Sequence, residues 1–393
     1  MKSELSRMKE ELLENVADVL RYWTENSWDA ENKNFLTLGC DNLPLADGRR
    51  SAILISRVLW AYSAAYRLTG HEEYLEMAEK AFQDITEHYL DQEYGGIYES
   101  LHADGTPLKA AKRVYTQSYL IYAMSEYYMA SMDAEALSVA LDIFEKIEEH
   151  AFDPEIGGYI SEFTREWSPV ETVLQLDTYL HLMECYTNLH KAYPDGYLKG
   201  RLQTIVILLL TKFLRPEGCL YQELHTDWTA TEDLSDRFAD DAECCWMMLE
   251  ARDRICDASM DAIITKSCVN MMRHLAAEGI DPVNGGVFDR KNTDGSMSTD
   301  KMWWEESESV TGLLYAYRES GEEPLLKAAL DTYAFLRKHI MQPGKEWYWR
   351  VSADGSKVPV EDPSRPPKCP YHSVRISTLC VPLIEGLERR AEA

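Results

Sequence analysis

The chain has 393 residues, of which 45% are hydrophobic and 27% charged, the balance of a globular protein with a substantial core. This composition argues against a disordered chain, a collagen and a coiled coil. The 40 Lys and Arg residues against 67 Asp and Glu give a net charge of −27, which would repel nucleic-acid phosphates and anionic membrane surfaces. A neutral ligand would not be repelled, and the ten Trp, 23 Tyr and nine Phe suit either a core or stacking on a ligand.

The N-terminal segment, MKSELSRMKEELLENV, is charged and helix-forming and lacks the apolar stretch of a signal peptide. The most apolar run, 205–210, is too short to span a bilayer. The nine Cys are an odd number and include no CxxC pair, so the sequence indicates neither a disulfide framework nor a zinc knuckle. We therefore expect a cytoplasmic protein in a reducing environment.

A short motif rich in Asp and Gly, followed by an aromatic residue, recurs along the chain. Its clearest copies are at 91–98, 153–159 and 281–288, and weaker copies begin near 29, 215 and 342. Successive copies begin 61 to 66 residues apart. Six units therefore account for nearly the whole chain, which is typical of a repeat architecture.

Each unit continues in a similar way after the motif. Asp-Gly pairs that predict hairpin turns occur at 104–105, 294–295 and 354–355. Two stretches with apolar residues at helical spacing follow, most clearly 109–130 with 134–149 and 300–319 with 323–339. Short links between the partner helices are marked by Gly70, Gly321 and Met132-Asp133.

Helix pairs of this kind bury their faces only by stacking on neighbouring pairs. An open solenoid and a closed ring both achieve this. We favour the ring, an all-α (α/α)6 barrel that forms one domain over 1–393, because six units account for the chain and no polar capping repeat is evident. The long loops of a ring emerge at one mouth, where the first helix of each pair begins.

Polar, titratable and aromatic residues occupy the same phase in all six units, about 24–31 positions after the motif. They are Arg57; Arg113, Tyr115 and Gln117; Asp177, Tyr179 and His181; Asp240, Asp241 and Glu243; Trp303, Trp304, Glu306 and Glu308; and His372 with Arg375. Such a set suits a sugar, since aromatic rings stack on a pyranose, charged groups bind hydroxyls, and His and Asp move protons. Ordinary core and helix-start roles remain open, as does metal binding by Asp240, Asp241, Glu243 and His372, although their spacing fits no named metal motif.

At these residues the chain resembles the N-acylglucosamine 2-epimerase superfamily, and within it most closely the cellobiose 2-epimerases. The most specific segments are 368–375 (KCPYHSVR) and 303–308 (WWEESE). Further matching segments, in the family's order, are 53–66, 113–117, 125–128, 177–188, 240–246 and 346–351. The resemblance implies an (α/α)6 barrel that epimerises or isomerises a reducing sugar at C2 through a cis-enediolate, with two histidines as base and acid and no metal or organic cofactor.

The resemblance also implies which residues form the site and where this chain departs from the family. One catalytic histidine corresponds to His372, whereas Asp240 stands where the other is expected. Arg113, Tyr179, Ile55 and Pro367 also replace the family's residues. We predict that His372 and Asp240 are catalytic. Substrate-binding residues are predicted to be Arg57, Tyr115, Asp177, Tyr179, His181, Glu243, Trp303, Trp304, Glu306, Glu308 and Arg375.

Two other functions remain open from the sequence. A glycoside hydrolase could use paired carboxylates on the same ring, and a paralogue without turnover could bind sugar through its tryptophans and Arg57. In each case the expected partner is a small carbohydrate, with neither nucleic acid nor membrane, and the chain is expected to be a monomer or a homodimer.

Overall fold

The computed structural model describes residues 2–170, 173–360 and 368–392. These residues form twelve α-helices, and three of the helices continue into one π-helical turn. The helices are α1 (Lys2–Asn26), α2 (Ala52–Thr69), α3 (Glu72–Asp84), α4 (Val114–Ser131), α5 (Ala134–His150), α6 (Leu176–Ala192), α7 (Gly196–Leu208), α8 (Phe238–Ile255), α9 (Ala258–His274), α10 (Trp303–Ser320), α11 (Glu323–His339) and α12 (Tyr371–Glu392). The π-helical turns follow α3, α7 and α9 at Ile85–Tyr89, Leu209–Phe213 and Leu275–Gly279.

Short strands lie in the long loops between the helix pairs. They are β1 (Trp28–Asp29), β2 (Asn34–Phe35), β3 (Arg50–Ser51), β4 (Ser100–Leu101), β5 (Pro107–Lys109), β6 (Lys112–Arg113), β7 (Phe152–Asp153), β8 (Gly158–Tyr159), β9 (Glu162–Phe163), β10 (Val173–Gln175), β11 (Glu223–His225), β12 (Arg290–Lys291), β13 (Met297–Ser298), β14 (Lys301–Met302) and β15 (Arg350–Val351).

Six inner helices form a closed ring. Helices α2, α4, α6, α8, α10 and α12 each contact the next, and α12 contacts α2. Almost every residue in the first three turns of α4 and α10 is buried, as expected of a helix that is covered on all sides. The predicted (α/α)6 barrel is confirmed, and the open solenoid is excluded because the first and last inner helices touch.

The short links between partner helices follow the predicted positions. Gly70 and Gly321 end α2 and α10 in the left-handed region, with φ of 74° and 68°. Met132 ends α4 in the same conformation, with φ of 61°. The next helix begins at once, and Asp133 caps α5 by accepting a hydrogen bond from the Glu135 amide at 2.9 Å.

The sixth helix pair differs from the prediction. Beyond the last copy of the motif, the described residues contain one helix, α12, and its partner is α1 from the other end of the chain. Asn15 on α1 donates to the carbonyl of Ser373 at 2.6 Å, and the Lys9 ammonium lies 2.6 Å from the Glu388 carboxylate. The prediction of a helix pair in every unit is therefore wrong for the last unit, since the start of the chain completes it.

The strands at the mouth explain why two helices begin later than predicted. The stretches 109–130 and 300–319 become helical only at Val114 and Trp303, because the preceding residues pair with the next loop along the chain. Strand β6 pairs with β9, β10 with β11, and β14 with β15. The starts of these inner helices are thereby held to neighbouring loops.

The Asp-Gly pairs have the predicted role. Asp104-Gly105 connects β4 to β5, and Asp294-Gly295 connects β12 to β13. The third pair, Asp354-Gly355, lies in the turn that is closed by a single β-bridge between Val351 and Lys357. In the described part of the chain, each helix is too short or too polar to cross a lipid bilayer.

Candidate active site

A cavity of about 380 Å³ opens where the inner helices begin, and each inner helix contributes at least one residue to its wall. Nine predicted site residues line it: Arg57, Tyr115, Asp177, His181, Asp240, Glu243, Trp303, Trp304 and His372. Tyr119, Gln175, Leu180, Gln222, Glu223, Asp233 and Arg237 also line it. The ring therefore gathers most of the predicted residues around one hollow.

His372 lies in the first turn of α12 and is 5% exposed. Its Nδ1 is 2.9 Å from a carboxylate oxygen of Glu308. Burial, with the positive charges of Arg375 and Arg57, lowers the pKa of His372 well below its usual value. The imidazole is therefore neutral at neutral pH, and donation from Nδ1 to Glu308 leaves the lone pair on Nε2 to accept a proton.

His181 on α6 is held in the same way. Its Nδ1 lies 2.9 Å from a Glu184 carboxylate oxygen, and its Nε2 lies 3.3 Å from the Tyr119 hydroxyl. Burial opposes ionisation of Glu184, but Arg375 and then His181 outweigh it and keep the Glu184 pKa below its usual value. Because α6 is the third helix from α12 in either direction around the ring, the histidines stand on opposite walls.

Arg375 joins the two histidine-holding carboxylates. Its buried guanidinium lies 2.6 Å from Glu184 and 2.8 Å from Glu308, and it also contacts Glu243 and the Tyr371 hydroxyl. Burial raises the pKa of Glu308, whereas Arg375 favours the ionised form. Glu308 and Arg375, which are predicted to bind substrate, do not line the cavity. They form a charged layer behind the histidines that fixes both rings.

Asp240 is half-buried in the first turn of α8. Burial raises the pKa of Asp240 to about 7 against the effect of Arg237, and the negative charges of Glu243 and Asp177 add to the rise. This carboxyl group therefore gains and loses a proton near neutral pH, which the pKa of an exposed aspartate would not allow.

A guanidinium and two phenols form another part of the wall. Arg57 donates to the hydroxyls of Tyr119 and Tyr115, the second at 3.2 Å, and packs 4.3 Å from the centre of the Tyr119 ring. Its Nη1 lies 3.4 Å from the Cys369 sulfur. These contacts fix a cationic donor at the cavity, where it can stabilise a negatively charged oxygen.

The two tryptophans differ in exposure. Trp303 is 5% exposed, since it packs against Trp349 at 6.2 Å and under the Lys368 ammonium at 4.1 Å. Trp304 is half-buried, and its ring lies 5.8 Å from that of His372. Trp304 therefore offers more of its surface to a ligand than Trp303 does.

Tyr179 and Glu306, which are also predicted to bind substrate, do not line the cavity. The Tyr179 hydroxyl accepts from the Tyr159 amide at 2.8 Å, and Glu306 accepts from the Val287 amide at 2.9 Å. Burial raises the pKa of Glu306 to about 8, so this side chain is protonated at neutral pH. Gln117 holds the Ile97 amide in the same manner. These side chains anchor the loops that surround the mouth.

The model of the N-acylglucosamine 2-epimerase family matches residues 34–375. The chain belongs to this family. As a member of the family it is 33% identical to cellobiose 2-epimerase from Bacteroides fragilis, over 96% of this chain and 98% of the relative. It is 31% identical to the cellobiose 2-epimerase of Ruminococcus albus, over 95% and 97%. The solved structure of cellobiose 2-epimerase from Bacillus thermoamylovorans superimposes with a TM-score of 0.89 at 27% identity, covering 97% of this chain and all of that one.

The positions at which the resemblance predicts other residues lie in different environments. Asp240 lines the cavity, Tyr179 holds the Tyr159 amide, Arg113 precedes α4 and pairs with Glu162, and Ile55 is buried in α2. Pro367 lies outside the described residues. Of the described positions, Asp240 is the one that lines the cavity.

Sequence reasoning missed several lining residues of this family member. Tyr119 lies four residues after Tyr115 on α4, so helical periodicity was a signal for it. Arg237 is the N-cap residue of α8, three residues before Asp240. Gln222 and Asp233 reach the cavity from the loops before α8. Their positions depend on the path of those loops, for which the spacing along the chain carries no signal.

Proposed function

We propose that this chain interconverts reducing sugars at C2 by moving a proton, as a 2-epimerase or an aldose–ketose isomerase. The substrate ring opens, the C2 proton leaves next to the aldehyde, and a cis-enediolate forms. Return of a proton to the opposite face of C2 gives the epimer, and its delivery to C1 gives the ketose. The neutral, carboxylate-held imidazole of His372 at the cavity is the observation that carries this proposal.

His372 suits the transfer because its Nε2 has no hydrogen-bond partner among the described residues and its Nδ1 is fixed by Glu308. A base must hold its lone pair in one orientation to act on a carbon acid. The low pKa of the imidazole keeps that lone pair available at neutral pH. The buried Arg375 stabilises Glu308 as the partner of the imidazole.

The second proton-transfer group in this proposal is Asp240. Its pKa of about 7 allows it to be an acid and a base in the same turnover. His181 is a second candidate, because it faces His372 across the ring and is also held by a glutamate. Arg57, with Tyr115 and Tyr119, is placed to stabilise the oxygens of the enediolate.

The experiment is incubation in D2O with glucose, mannose or cellobiose, followed by NMR. We expect deuterium at C2 together with a new epimer or ketose. His372→Gln should reduce exchange at least about 100-fold, the usual contribution of a positioned general base. His71→Ala, which changes an exposed histidine before α3, is the matched control and should retain full exchange.

The other outcomes separate the remaining functions. New reducing ends from cellobiose, without deuterium at C2, would indicate a glycoside hydrolase. Saturation-transfer contacts to sugar without any reaction would indicate a binding protein. Full deuterium exchange in the His372→Gln variant would contradict the role given to His372. It would leave the proposed epimerase or isomerase function standing.

A further inference from the structure

A second cluster of chemically reactive side chains lies outside the cavity. The Cys219 sulfur, a carboxylate oxygen of Asp236 and a ring nitrogen of His274 all lie within 4.8 Å of one another. None of the three lines the active-site cavity. They come from three separate segments, namely the loop after α7, the residues just before α8, and the end of α9.

The cluster is shielded from solvent. Cys219 is 2% exposed and Asp236 is 5% exposed. Nε2 of His274 lies 2.6 Å from Oδ2 of Asp236. The three groups are thus a thiol, a carboxylate and an imidazole packed together in a region of low dielectric.

Asp241 adds a second buried carboxylate, which interacts with Asp236. Oδ1 of Asp241 accepts from the Leu220 amide at 2.9 Å. Oδ2 of Asp241 and Oδ1 of Asp236 are both buried with no hydrogen-bond partner among the described residues. Two adjacent buried carboxylates repel each other unless a proton or a cation lies between them. His274 contacts Oδ2 of Asp236, which is neither of these two unpartnered oxygens.

Arg215 is a cation near the cluster, since its charge acts on Cys219, but it is already engaged. Its Nη1 donates to the Leu234 carbonyl at 3.2 Å, and its Nε lies 3.7 Å from Glu217. Burial, with the negative charges of Asp241 and Asp236, raises the pKa of the Cys219 thiol to about 12. A bound cation would reverse this and favour the thiolate.

We propose that Cys219, Asp236 and His274 hold a divalent transition metal, with Zn²⁺ as the ion that best matches the donors. Sulfur, nitrogen and oxygen donors together are typical of zinc, which takes four ligands in a tetrahedron. Binding displaces the thiol proton and the proton held between imidazole and carboxylate, so protons are released. The fourth position is left to a water that donates to Asp241.

One member of the cluster is also reached from the surface. His274 lines a groove of about 600 Å³ between residues 214–218 and helix α9. This groove shares no lining residue with the active-site cavity. An ion that entered through it would not pass through that cavity.

Another unit shows what the metal would do for the fold. Arg50, two residues before α2, pairs with Asp84 at the end of α3. Asp236 and His274 hold the corresponding positions before α8 and at the end of α9. The metal would thus fasten a loop to an outer helix, as an ion pair does there, and would fix the start of α8.

The catalytic residues offer a comparison. Ligand atoms of Glu243, Glu308 and His372 also lie within 4.8 Å of one another. Arg375 contacts both of those glutamates, so a positive charge is already present among them. The Cys219 cluster has two unpartnered carboxylate oxygens instead, which is why we assign the metal to it.

The test uses the full chain after treatment with a chelator. Titration with Zn²⁺ by calorimetry should show one equivalent bound, with proton release. Co²⁺ should give a thiolate-to-cobalt charge-transfer band and the visible bands of a tetrahedral ion. Cys219→Ser should weaken zinc binding at least about 100-fold. Removing a residue that only hydrogen-bonds to a metal ligand costs up to about 100-fold in affinity, and Cys219 would be a ligand itself. Cys256→Ser changes an exposed cysteine and should leave binding intact.

Further variants protect the test from a folding failure. If Cys219→Ser is unfolded by circular dichroism, His274→Gln serves the same purpose. Zn²⁺ should raise the melting temperature of the wild type but not that of the ligand variant. Absence of a stoichiometric site, unchanged binding in Cys219→Ser, or loss of the cobalt bands in His372→Gln would each overturn the proposal.

Discussion

Asp240 lies at the cavity at the position where the resemblance predicts a catalytic histidine. A carboxyl group with a pKa of about 7 is much closer to an imidazole in proton affinity than an exposed aspartate is. Burial is the largest cause of that rise. The neighbouring Arg237, Glu243, Asp177 and Gln222 also influence this pKa.

Asp240→Asn should reduce kcat/KM at least about 100-fold, because the variant cannot exchange a proton. In the wild type, kcat/KM should rise with pH up to about 7 as Asp240 ionises. His372 has a pKa well below its usual value, so its titration does not produce that limb. A pH profile of C2 exchange in both proteins is the measurement. Full activity in Asp240→Asn would transfer the role to His181.

The same substitution should also change stability. The folded pKa of Asp240 is above its usual value of 3.8, so the folded protein binds more protons than the unfolded chain between pH 4 and 7. Stability from this group is therefore lost as pH rises through that window. Asp240→Asn should accordingly melt at a higher temperature than the wild type at pH 8, with a smaller difference at pH 4.

The individual residues were predicted well where a helix fixed their direction. Residues such as His181 and His372 lie at the starts of inner helices, and the repeat phase placed them at the mouth. Tyr179 and Glu306 share that phase but point to the loop backbone, since they lie two residues from His181 and Glu308. The position of a residue in the repeat does not by itself show whether its side chain points into the ring or toward the loop backbone.

At the level of secondary-structure elements, the glycines of the recurring loop motif are explained by inner-helix side chains that lie close to the loop backbone. A Cβ added at Gly158 would lie 2.6 Å from the Tyr179 hydroxyl and 2.7 Å from the Trp228 ring. A Cβ at Gly286 would lie 2.6 Å from Glu306. The second glycine of the motif is therefore required because an inner-helix side chain approaches the loop backbone.

Gly158→Ala should destabilise the protein by about 1–3 kcal/mol, the usual result of overpacking. Gly200→Ala is the matched control, because nothing lies within 4 Å of the added Cβ inside helix α7. It should stabilise the protein by about 0.5–1 kcal/mol. Urea unfolding measures both. Equal effects would show that the contact with Tyr179 does not limit the loop.

The helices were predicted more accurately than the strands. The periodicity of 134–149 and 323–339 closely matches α5 and α11. Strands such as β6 and β14 are only two residues long, and their partners lie about 50 residues further along the chain. No local pattern marks pairing over that distance, so these residues were included in the predicted helices.

For the molecule as a whole, the ring closes through α1. Asn15 donates to the Ser373 carbonyl at 2.6 Å and accepts from the Trp347 indole at 2.8 Å. Trp23 on the same helix donates to Glu346, which also lies 3.3 Å from the buried Lys368 ammonium. The start of the chain is thus connected to the segment that carries His372.

Asn15→Ala should destabilise the protein by roughly 1–3 kcal/mol, because it leaves the buried indole N–H of Trp347 unpaired. Glu14→Ala changes an exposed neighbour on α1 and should alter stability by less than about 0.5 kcal/mol. Chemical denaturation of the two variants is the measurement. Similar values for both would show that α1 is not required to close the ring.

The sixfold count predicted the architecture, since the number of units and their spacing were readable from one motif. It did not predict which helix completes the last pair. That partner is separated from α12 by almost the entire chain, so the sequence shows two helices without showing that they touch. The contact between α1 and α12 exists because the ring closes, and no local sequence pattern predicts it.

The loop anchors use different chemistry in different units, with an amide at Gln117, a phenol at Tyr179 and carboxyl groups at Asp241 and Glu306. Each of these hydrogen bonds holds the loop that precedes the anchor's own helix. Neighbouring loops are also joined to one another, by strand pairs such as β6 with β9 and by the Trp228 indole, which donates to the Ile156 carbonyl. A segment of the rim exchanged to alter substrate preference would therefore have to keep both its anchor and its pairing with the next loop.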